Sequence, residues 1–423
     1  MGKTRLSIHG DKFYINDCLT YSEYPNCKPN CRGLLFNQRL IQGVFDDTGN
    51  RERYRRSEME PFDPDENTNL LIKALPHWYA VGLRAITVGF QGGWPHSAVS
   101  ADKLNNNPFG ADGCSLDDAY AMRMDRIIKV ADKLGMVVIV NFLYWAQTNK
   151  FKDGQAIVNA IQTGCRFLKD GGYSNVIIDV ANDYTIDYCA KHPLINKDEC
   201  MAALIEMAKE ASGGLPTGCS GGGGCFNSEV AEASDVVFVH GNGLTRGEFY
   251  TFTKNVIKIV GGKKPIVFNE DSACISRFDI ALDLGVSWGY YNNYTKQIPP
   301  CSYDIARGED MFFAEKMVDA LGIHMPDGAS CDEDIVLQGG TGMDVIGEGL
   351  CFFRIASKKP EQIYKVEYYL NGVLDDVSYD EPFFYHTEQT WISFPWVPSD
   401  GDILKAVVFM ADGTVIEKQF EKK

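Results

Sequence analysis

The chain has 423 residues, of which 45% are hydrophobic and 12% aromatic, so it can build a large packed core in more than one domain. Its formal net charge of -16 argues against nucleic acid or an anionic membrane surface as a partner, because both are bound through clustered Lys and Arg. No apolar run approaches the ~20 residues that cross a bilayer, so we expect no membrane insertion.

The predicted elements begin with a short hairpin at residues 5–17, where apolar and polar residues alternate. Strands then alternate with helices. The predicted strands are residues 33–45, 83–93, 136–145, 176–184, 215–221, 235–243, 264–270 and 285–294. The predicted helices are residues 68–82 with an interruption at Pro76, 115–135, 156–172, 198–212, 249–262, 276–285 and 309–322. Parallel strands need helical crossovers and bury aliphatic runs on both faces, so the pattern predicts an α/β fold, a (β/α)8 TIM barrel.

The pattern changes from about residue 334, where short strands follow one another with turns at Asn371-Gly372 and Asp412-Gly413. No helix-length segment separates them, which predicts a small all-β sandwich. Trp391 and Trp396 in this region could form a sugar-stacking surface, but we expect core packing, because small sandwiches bury their few aromatic residues. The predicted domains are an N-terminal β-hairpin and lead-in at residues 1–31, a catalytic barrel at 32–330 and an accessory sandwich at 331–423.

Two predicted strands end on a carboxylate. The fourth ends on the pair Asn182-Asp183, and the seventh ends on Glu270. Active sites of this barrel lie at the carboxyl ends of the strands, so the two carboxylates should face each other across the mouth. The same rule places Asn37 or Arg39, Gln91, Asn141, His240 and Trp288 around it, with Trp94, Trp145 and Tyr290 as further aromatic candidates. Gln91 and Asn141 could equally be polar residues that end a strand where the chain meets water.

Paired carboxylates suit the cleavage of a glycosidic bond. One carboxyl group protonates the leaving oxygen, and the other attacks the sugar or activates water. A carboxyl separation of ~5 to 5.5 Å gives retention of configuration, and ~6.5 to 9.5 Å gives inversion through a water. Asp271 and Asp179 are also acidic but are expected to be structural, because Asp271 points to the opposite face from Glu270 and Asp179 lies mid-strand.

In this arrangement the sequence resembles the retaining (β/α)8 glycoside hydrolases of the cellulase and β-mannanase clan. The matching positions are Asn182, His240 in VFVHGNG, Glu270 in IVFNEDS and Trp288 in GVSWGYY. The resemblance implies that Glu270 is the nucleophile and that Asn182 binds the 2-hydroxyl of the sugar. It also implies that His240 holds the nucleophile in position and that Trp288 forms the floor of the sugar-binding site. The stretch YYLNGVL followed by EPFFY resembles the immunoglobulin-like modules attached to many carbohydrate enzymes.

One position departs from the clan, which has Glu where this chain has Asp183. Asp is one methylene shorter, so its carboxyl group retreats by ~1.5 Å unless the backbone compensates. The implied function is a retaining hydrolase of a β-linked polysaccharide or oligosaccharide, a β-glucan by the clan's common preference, with Asp183 as acid/base. An inverting hydrolase and a catalytically impaired carbohydrate-binding barrel stay open as alternatives.

The cysteines and histidines bear on compartment and cofactors. Several of the thirteen cysteines lie close together in probable loops, and regular metal-binding knuckles are absent, which favours disulfides and a secreted protein. The close pairs are Cys27 and Cys31, Cys189 and Cys200, and Cys219 and Cys225. Residues 1–10 have no signal-type apolar core, so a secreted form should have lost its signal peptide. The seven histidines are scattered, and we expect no metal or other cofactor.

Overall fold

A computed structural model gives the fold and describes residues 2–54, 62–95, 98–186, 192–326, 330–340, 345–346, 349–389 and 391–422. The chain begins with a three-stranded antiparallel sheet of β1 (Leu6–His9), β2 (Lys12–Ile15) and β3 (Cys18–Leu19). The predicted hairpin is its first two strands, with Leu6 opposite Ile15. Phe13 is fully buried in a cluster with Leu35, Val137 and Val267, residues at the amino-terminal side of the parallel strands. The N-terminal sheet therefore closes that side of the structure.

Eight parallel strands follow, each at a position that the sequence predicted. They are β4 (Asn37–Arg39), β5 (Ala85–Gly89), β6 (Val137–Tyr144), β7 (Val176–Asn182), β8 (Thr217–Gly218), β9 (Val237–His240), β10 (Ile266–Glu270) and β11 (Gly289–Tyr290). One parallel sheet has the order β11-β4-β5-β6-β7-β8, and β9 pairs with β10 in another. A parallel bridge between Val267 and Ser287 links the two sheets on one side. On the other side, Asp235 N donates to Thr217 O at 2.7 Å.

Helices occupy the intervals between the parallel strands. They are α1 (Pro64–Ala80), α2 (Asp118–Leu134), α3 (Gly154–Gly171), α4 (Pro193–Asn196), α5 (Asp198–Ser212), α6 (Ser228–Ala233), α7 (Arg246–Val260), α8 (Ser276–Leu284), α9 (Asn293–Lys296) and α10 (Glu309–Leu321). The predicted interruption at Pro76 is wrong, since α1 continues through it and buries Leu71, Leu75 and Trp78 on one face. No helix in the described part of the chain is long and apolar enough to cross a membrane.

The C-terminal unit is antiparallel β-structure, as predicted from its turns. Its strands are β12 (Ile335–Gln338), β13 (Val345–Ile346), β14 (Leu350–Cys351), β15 (Arg354–Ser357), β16 (Ile363–Leu370), β17 (Val373–Ser378), β18 (Thr387–Gln389), β19 (Ile392–Ser393), β20 (Ile403–Met410) and β21 (Val415–Glu421). A four-stranded sheet has the order β17-β16-β20-β21, and β12–β15, β13–β14 and β18–β19 form two-stranded ribbons. The predicted boundary after residue 330 stays a prediction, and residues 327–329 lie outside the described ranges.

The disulfide prediction needs correction. Cys27 and Cys31 are buried free thiols whose sulfur atoms meet different partners, the carbonyl oxygens of Tyr21 and Ala320. Cys225 is likewise a free thiol, so the predicted bridge to Cys219 is not formed. Cys200 is a thiol as well, and its predicted partner, Cys189, lies outside the described residues. Cys27 and Cys31 are accommodated as thiols by burial and by contacts with backbone oxygens. Secretion stays a prediction.

The two units share a packed interface on which a carboxylate is held. Glu381 of the C-terminal unit accepts a hydrogen bond from Ser276 N at 3.2 Å and another from the Ser276 hydroxyl, at the start of α8. Burial raises the pKa of Glu381 to about 7, although the bonds from Ser276 and the nearby Arg277 and Lys316 act to lower it. The folded protein therefore keeps a proton on Glu381 at a pH where the unfolded chain has released it.

This linkage predicts how stability depends on pH. Because the pKa of Glu381 is raised by folding, its contribution is complete below about pH 4.5 and is lost as the pH rises towards 7. We expect the free energy of unfolding to fall more steeply between pH 5 and 7 in the unsubstituted protein than in Glu381→Gln, by up to ~1.4 kcal/mol per pH unit. Urea denaturation at pH 5, 6, 7 and 8 measures this difference, and parallel curves for the two proteins would contradict it.

Candidate active site

Four charged or titratable side chains meet at the carboxyl ends of four parallel strands. Arg39 ends β4, Asp183 follows β7, His240 ends β9 and Glu270 ends β10. His240 and Glu270 are direct neighbours in the register of β9 and β10. Because parallel strands end at a common edge, residues separated by more than 200 positions in the chain come within contact distance.

Asp183 has an unusual backbone conformation. Its φ is +53°, in the left-handed region that Asp and Asn enter more readily than other residues with a side chain. Asn182 Nδ2 donates to Asp183 Oδ2 at 2.8 Å, and His240 Nδ1 lies 2.9 Å from Asp183 Oδ1. The chain therefore turns sharply after β7, and two neighbours fix the direction of the shorter carboxylate.

Glu270 is held from two other sides. Arg39 Nε lies 3.0 Å from Glu270 Oε2, an ion pair whose N–H is not aligned for a hydrogen bond. Asn242 Nδ2 donates to Glu270 Oε1 at 3.1 Å, and also to the backbone oxygen of Asp271. The Arg39 side chain is only 1% exposed, and its guanidinium carbon lies 5.3 Å from the centre of the Tyr291 ring.

The two carboxylates are close to each other. One oxygen of Asp183, one oxygen of Glu270 and a ring nitrogen of His240 all lie within 4.8 Å of one another. His240 Nδ1 is 3.7 Å from Glu270 Oε2, so the imidazole stands between the acids. A sugar carbon in contact with Glu270 would have its glycosidic oxygen within reach of Asp183.

Burial and mutual charge set the protonation of this cluster. Desolvation raises the pKa of Glu270, and so does Asp183, while Arg39 and His240 lower it without cancelling the rise. For His240, desolvation lowers the pKa, but Glu270 and Asp183 outweigh it, so the pKa of His240 is raised. The cluster therefore favours a protonated imidazole between the acids.

The three donor groups of Asp183, His240 and Glu270 are also near enough to one another to ligate a metal ion. Arg39, however, is buried against Glu270 and already supplies a positive charge there. A cation bound to Glu270 would have to share that carboxylate with the guanidinium, at a cost in like-charge repulsion. The donor set therefore fits a metal poorly.

A cleft of about 390 Å³ opens over the two carboxylates. Its volume lies within the range of small-molecule sites. Its aromatic lining consists of Trp94, Tyr144, Trp145 and Trp391, and its polar lining includes Asp183, Glu270, Asn242, Asn293 and Gln297. Trp94 and Trp145 make an edge-on contact with ring centres 5.8 Å apart. Of the aromatic residues predicted at the mouth, Trp94 and Trp145 thus reach the cleft.

Trp288 and Tyr290 do not reach it, which corrects their predicted place. Trp288 is 1% exposed and donates from Nε1 to Asp271 Oδ2 at 2.7 Å. Tyr290 donates its hydroxyl to Asp310 Oδ1 and stacks on Phe313 of α10. Side chains alternate along a strand, so Trp288 and Tyr290 point to the helices while Tyr291, next along, points to the site. The sequence prediction therefore assigned the wrong face of β11 to the site.

Gln91 and Asn141 also lie outside the cleft lining. Gln91 is fully buried, accepts from Tyr144 N at 2.7 Å and donates to Asn107 at 2.9 Å, so it braces the loop after β5. Asn141 is buried in β6, and its Nδ2 lies 3.4 Å from the backbone oxygen of Asp179. Both residues support the strands beneath the site, which corrects their place among the substrate contacts.

The two acids expected to be structural have structural partners. Asp271 forms a buried ion pair with Arg277 and accepts from Trp288. Asp179 accepts from Ser220 Oγ and Asn269 Nδ2, both at 3.0 Å, and burial raises the pKa of Asp179 to about 6. Asn242, which donates to Glu270, was missed by the sequence prediction. The position of Asn242 directly after β9, in HGNG, was the available signal.

Comparison with known proteins finds no matching family model and no matching curated protein. Among solved structures, a β-glucuronidase from Parabacteroides merdae has 11% identity over 99% of this chain, with a TM-score of 0.43. The chain spans about half, 51%, of that β-glucuronidase. An endo-β-1,4-mannanase from Thermotoga petrophila has 13% identity over 92% of this chain and 97% of its own, with a TM-score of 0.42. A candidate glycoside hydrolase from Bacteroides vulgatus has 9% identity over 96% and 82%, with a TM-score of 0.48.

The ion pair between Arg39 and Glu270 gives a prediction for stability. Arg39→Met removes the guanidinium and leaves Glu270 buried beside Asp183, so the free energy of unfolding at pH 8 should fall by about 3–5 kcal/mol. The loss should be smaller at pH 5, because the already raised pKa of Glu270 lets it become protonated. Urea denaturation at both values checks this.

The matched control for this test is the double variant Arg39→Met/Glu270→Gln. With the carboxylate also removed, the double variant should recover part of the stability that Arg39→Met loses at pH 8. An Arg39→Met protein as stable at pH 8 as the unsubstituted chain would contradict a role for Arg39 as the counter-charge of Glu270.

Proposed function

We propose that the protein is a glycoside hydrolase that cleaves a neutral, β-linked oligosaccharide or polysaccharide with retention of configuration. The observation that supports this most directly is the approach of Asp183 and Glu270 oxygens to within 4.8 Å at the floor of a cleft. This oxygen–oxygen approach is nearer to the ~5 to 5.5 Å carboxyl separation of retaining enzymes than to the ~6.5 to 9.5 Å that inverting enzymes need to hold a water.

The proposed function is consistent with a closed barrel fold. The eight parallel strands close into a (β/α)8 barrel, with the hydrogen bond from Asp235 to Thr217 and the bridge from Val267 to Ser287 as the joints between the two sheets. The C-terminal strands form an immunoglobulin-like sandwich. In such a barrel the carboxyl ends of the strands are the site of catalysis, where Asp183 and Glu270 lie.

In the first step, Glu270 attacks the anomeric carbon and forms a glycosyl ester as the glycosidic bond breaks. The leaving oxygen takes a proton from Asp183, which receives that proton from protonated His240, whose Nδ1 lies 2.9 Å away. In the second step, Asp183 takes a proton from water, whose oxygen attacks the anomeric carbon and releases Glu270. Arg39 and Asn242 hold the Glu270 carboxylate in place through both steps. Asn182 aims the Asp183 carboxylate through Nδ2, while its Oδ1 is buried, so a bond from Asn182 to the 2-hydroxyl of the sugar stays a prediction.

The lining of the cleft supports a neutral sugar. Trp94, Tyr144, Trp145 and Trp391 offer ring faces, and the amides of Asn242, Asn293 and Gln297 can bond to hydroxyl groups. No Lys or Arg is among the described residues that line the cleft, whereas two carboxylates are. The lining therefore offers no cationic side chain to pair with the carboxylate of a sugar acid.

The left-handed Asp183 is the specific observation behind the second candidate, a carbohydrate-binding protein with little turnover. If the turn after β7 places the shorter side chain too far from the leaving oxygen, binding persists while proton transfer fails. Hydrolysis of any β-glucan, mannan or xylan by the unsubstituted protein excludes this candidate, and binding with no release of reducing ends supports it.

Substitution of the catalytic pair tests the enzyme directly. We expect Asp183→Asn to lower kcat by ~10² to 10⁴ because proton donation is lost, and Glu270→Gln to lower it at least as far because the nucleophile is lost. Glu229→Gln, an exposed carboxylate at the start of α6, is the matched control and should keep full activity. Proton NMR of the first product should show the β-anomer. An α-anomer, or full activity in either cleft variant, would contradict the mechanism.

A further inference from the structure

The cleft over the catalytic pair is lined from both structural units. Trp391 belongs to the C-terminal unit, at the turn between β18 and β19, yet it lines the same cleft as Asp183 and Glu270. More than 100 residues separate it from Glu270 in the chain. A residue from the β-structured unit is thus placed at the mouth formed by the parallel strands.

The position of the β18–β19 hairpin is fixed by contacts with the parallel-strand unit. The hydroxyl groups of Ser393, in β19, and Tyr294, in α9, lie 2.8 Å apart. The Tyr294 ring stacks on Phe352 at 4.5 Å and meets Phe384 edge-on at 5.1 Å. These rings and Ile298 form a buried cluster that contains residues of both units. The hairpin that carries Trp391 is therefore anchored on α9.

The residue directly after this short helix contacts another part of the cleft lining. Gln297, directly after α9, donates from Nε2 to the backbone oxygen of Trp94 at 2.8 Å. Trp94 in turn donates from its indole nitrogen to Val99 O and packs against Trp145. The segment from Tyr294 to Gln297 therefore contacts both the hairpin that carries Trp391 and the backbone of Trp94.

The neighbouring tryptophan shows what core packing looks like in this unit. Trp396 packs against Phe353 at 5.6 Å and Tyr385 at 5.7 Å, inside the C-terminal hydrophobic core. Trp391 is partly exposed and lines the cleft instead. The prediction that both tryptophans fill the core is therefore wrong for Trp391, because the hairpin turns its tip towards the parallel strands.

We propose that Trp391 binds the substrate, as a ring platform for one sugar of a neutral β-linked oligosaccharide, and that the C-terminal unit is part of the active site. This inference rests on the proposed function. The flat apolar face of the indole is matched by the C–H face of an equatorially substituted pyranose. Together with Trp94 and Trp145, Trp391 gives the cleft aromatic surfaces from both structural units.

The test compares Trp391→Ala and Trp391→Phe with Phe394→Ala in the full-length protein. Phe394 follows β19, is 55% exposed and does not line the cleft, so it is an aromatic control on the same hairpin. Each substitution is combined with Glu270→Gln to prevent turnover, and binding of cellotetraose, mannotetraose and xylotetraose is measured by calorimetry. For the tetraose that binds best, we expect roughly tenfold or greater loss of affinity in Trp391→Ala, part of it restored in Trp391→Phe, and none lost in Phe394→Ala.

Unchanged affinity in Trp391→Ala would overturn the proposal, as would an equal loss in Phe394→Ala or no binding of any tetraose by the parent protein. If Trp391→Ala does not fold, as judged by thermal melting, Trp391→Phe decides: a measurable loss supports the platform, and parent affinity rejects it. The proposed function is judged separately, by release of reducing ends from the same tetraoses by the chain with Glu270 intact. If the tetraoses are hydrolysed but substitution of Trp391 does not change their binding, only the role of Trp391 is rejected. If substitution of Trp391 weakens binding but no tetraose is hydrolysed, only the proposed enzymatic function is rejected.

Discussion

The site depends on the burial of two carboxylates within 4.8 Å of each other. Taken alone, such a pair would be driven to share a proton, because like charges in a poorly solvated site repel and desolvation disfavours both. Arg39 on one side and His240 between the acids offset this repulsion. With His240 protonated, two negative and two positive charges balance, so the pair can exist without a metal ion. Each of the four residues lies at the end of a different parallel strand, so the arrangement of the strands brings the four charges together.

The backbone conformation of Asp183 also has an energetic cost that the site must offset. A residue with a side chain in the left-handed region costs on the order of 1–3 kcal/mol, and such residues persist only where the surroundings hold them. Asp183 is held by Asn182 and His240, which are in turn fixed by β7 and β9. The left-handed turn and these two neighbours together set the direction of the Asp183 carboxylate.

The sequence predicted the parts of the site that depend on strand ends, and missed those that depend on side-chain direction or on distant segments. Asp183, His240, Glu270 and Arg39 lie together at the strand ends, where the sequence put them, because a hydrophobic run followed by a polar residue marks the edge of a parallel sheet. Their roles stay predictions. Trp288 and Tyr290 were misplaced because the stretch WGYY at residues 288–291 has aromatic residues on both faces of the strand and does not reveal which of them face inward. Trp391 was expected in the core. Its approach to the cleft depends on the packing of Tyr294 on Phe352, a contact between the two units that the sequence does not show. Disulfides were expected from cysteine spacing alone, and spacing carries no information on where each sulfur points.

The identity of the nucleophile is the central claim, and covalent trapping tests it most directly. Incubation with activated 2-deoxy-2-fluoro-β-glycosides of glucose, mannose and xylose, followed by peptide mass spectrometry, reports which carboxylate forms the glycosyl ester. We expect one sugar per chain, attached to Glu270, with no adduct in Glu270→Gln. An adduct on Asp183 would reverse the roles of the pair, and hydrolysis of the natural glycoside without any adduct from the matching fluorosugar would contradict the double displacement.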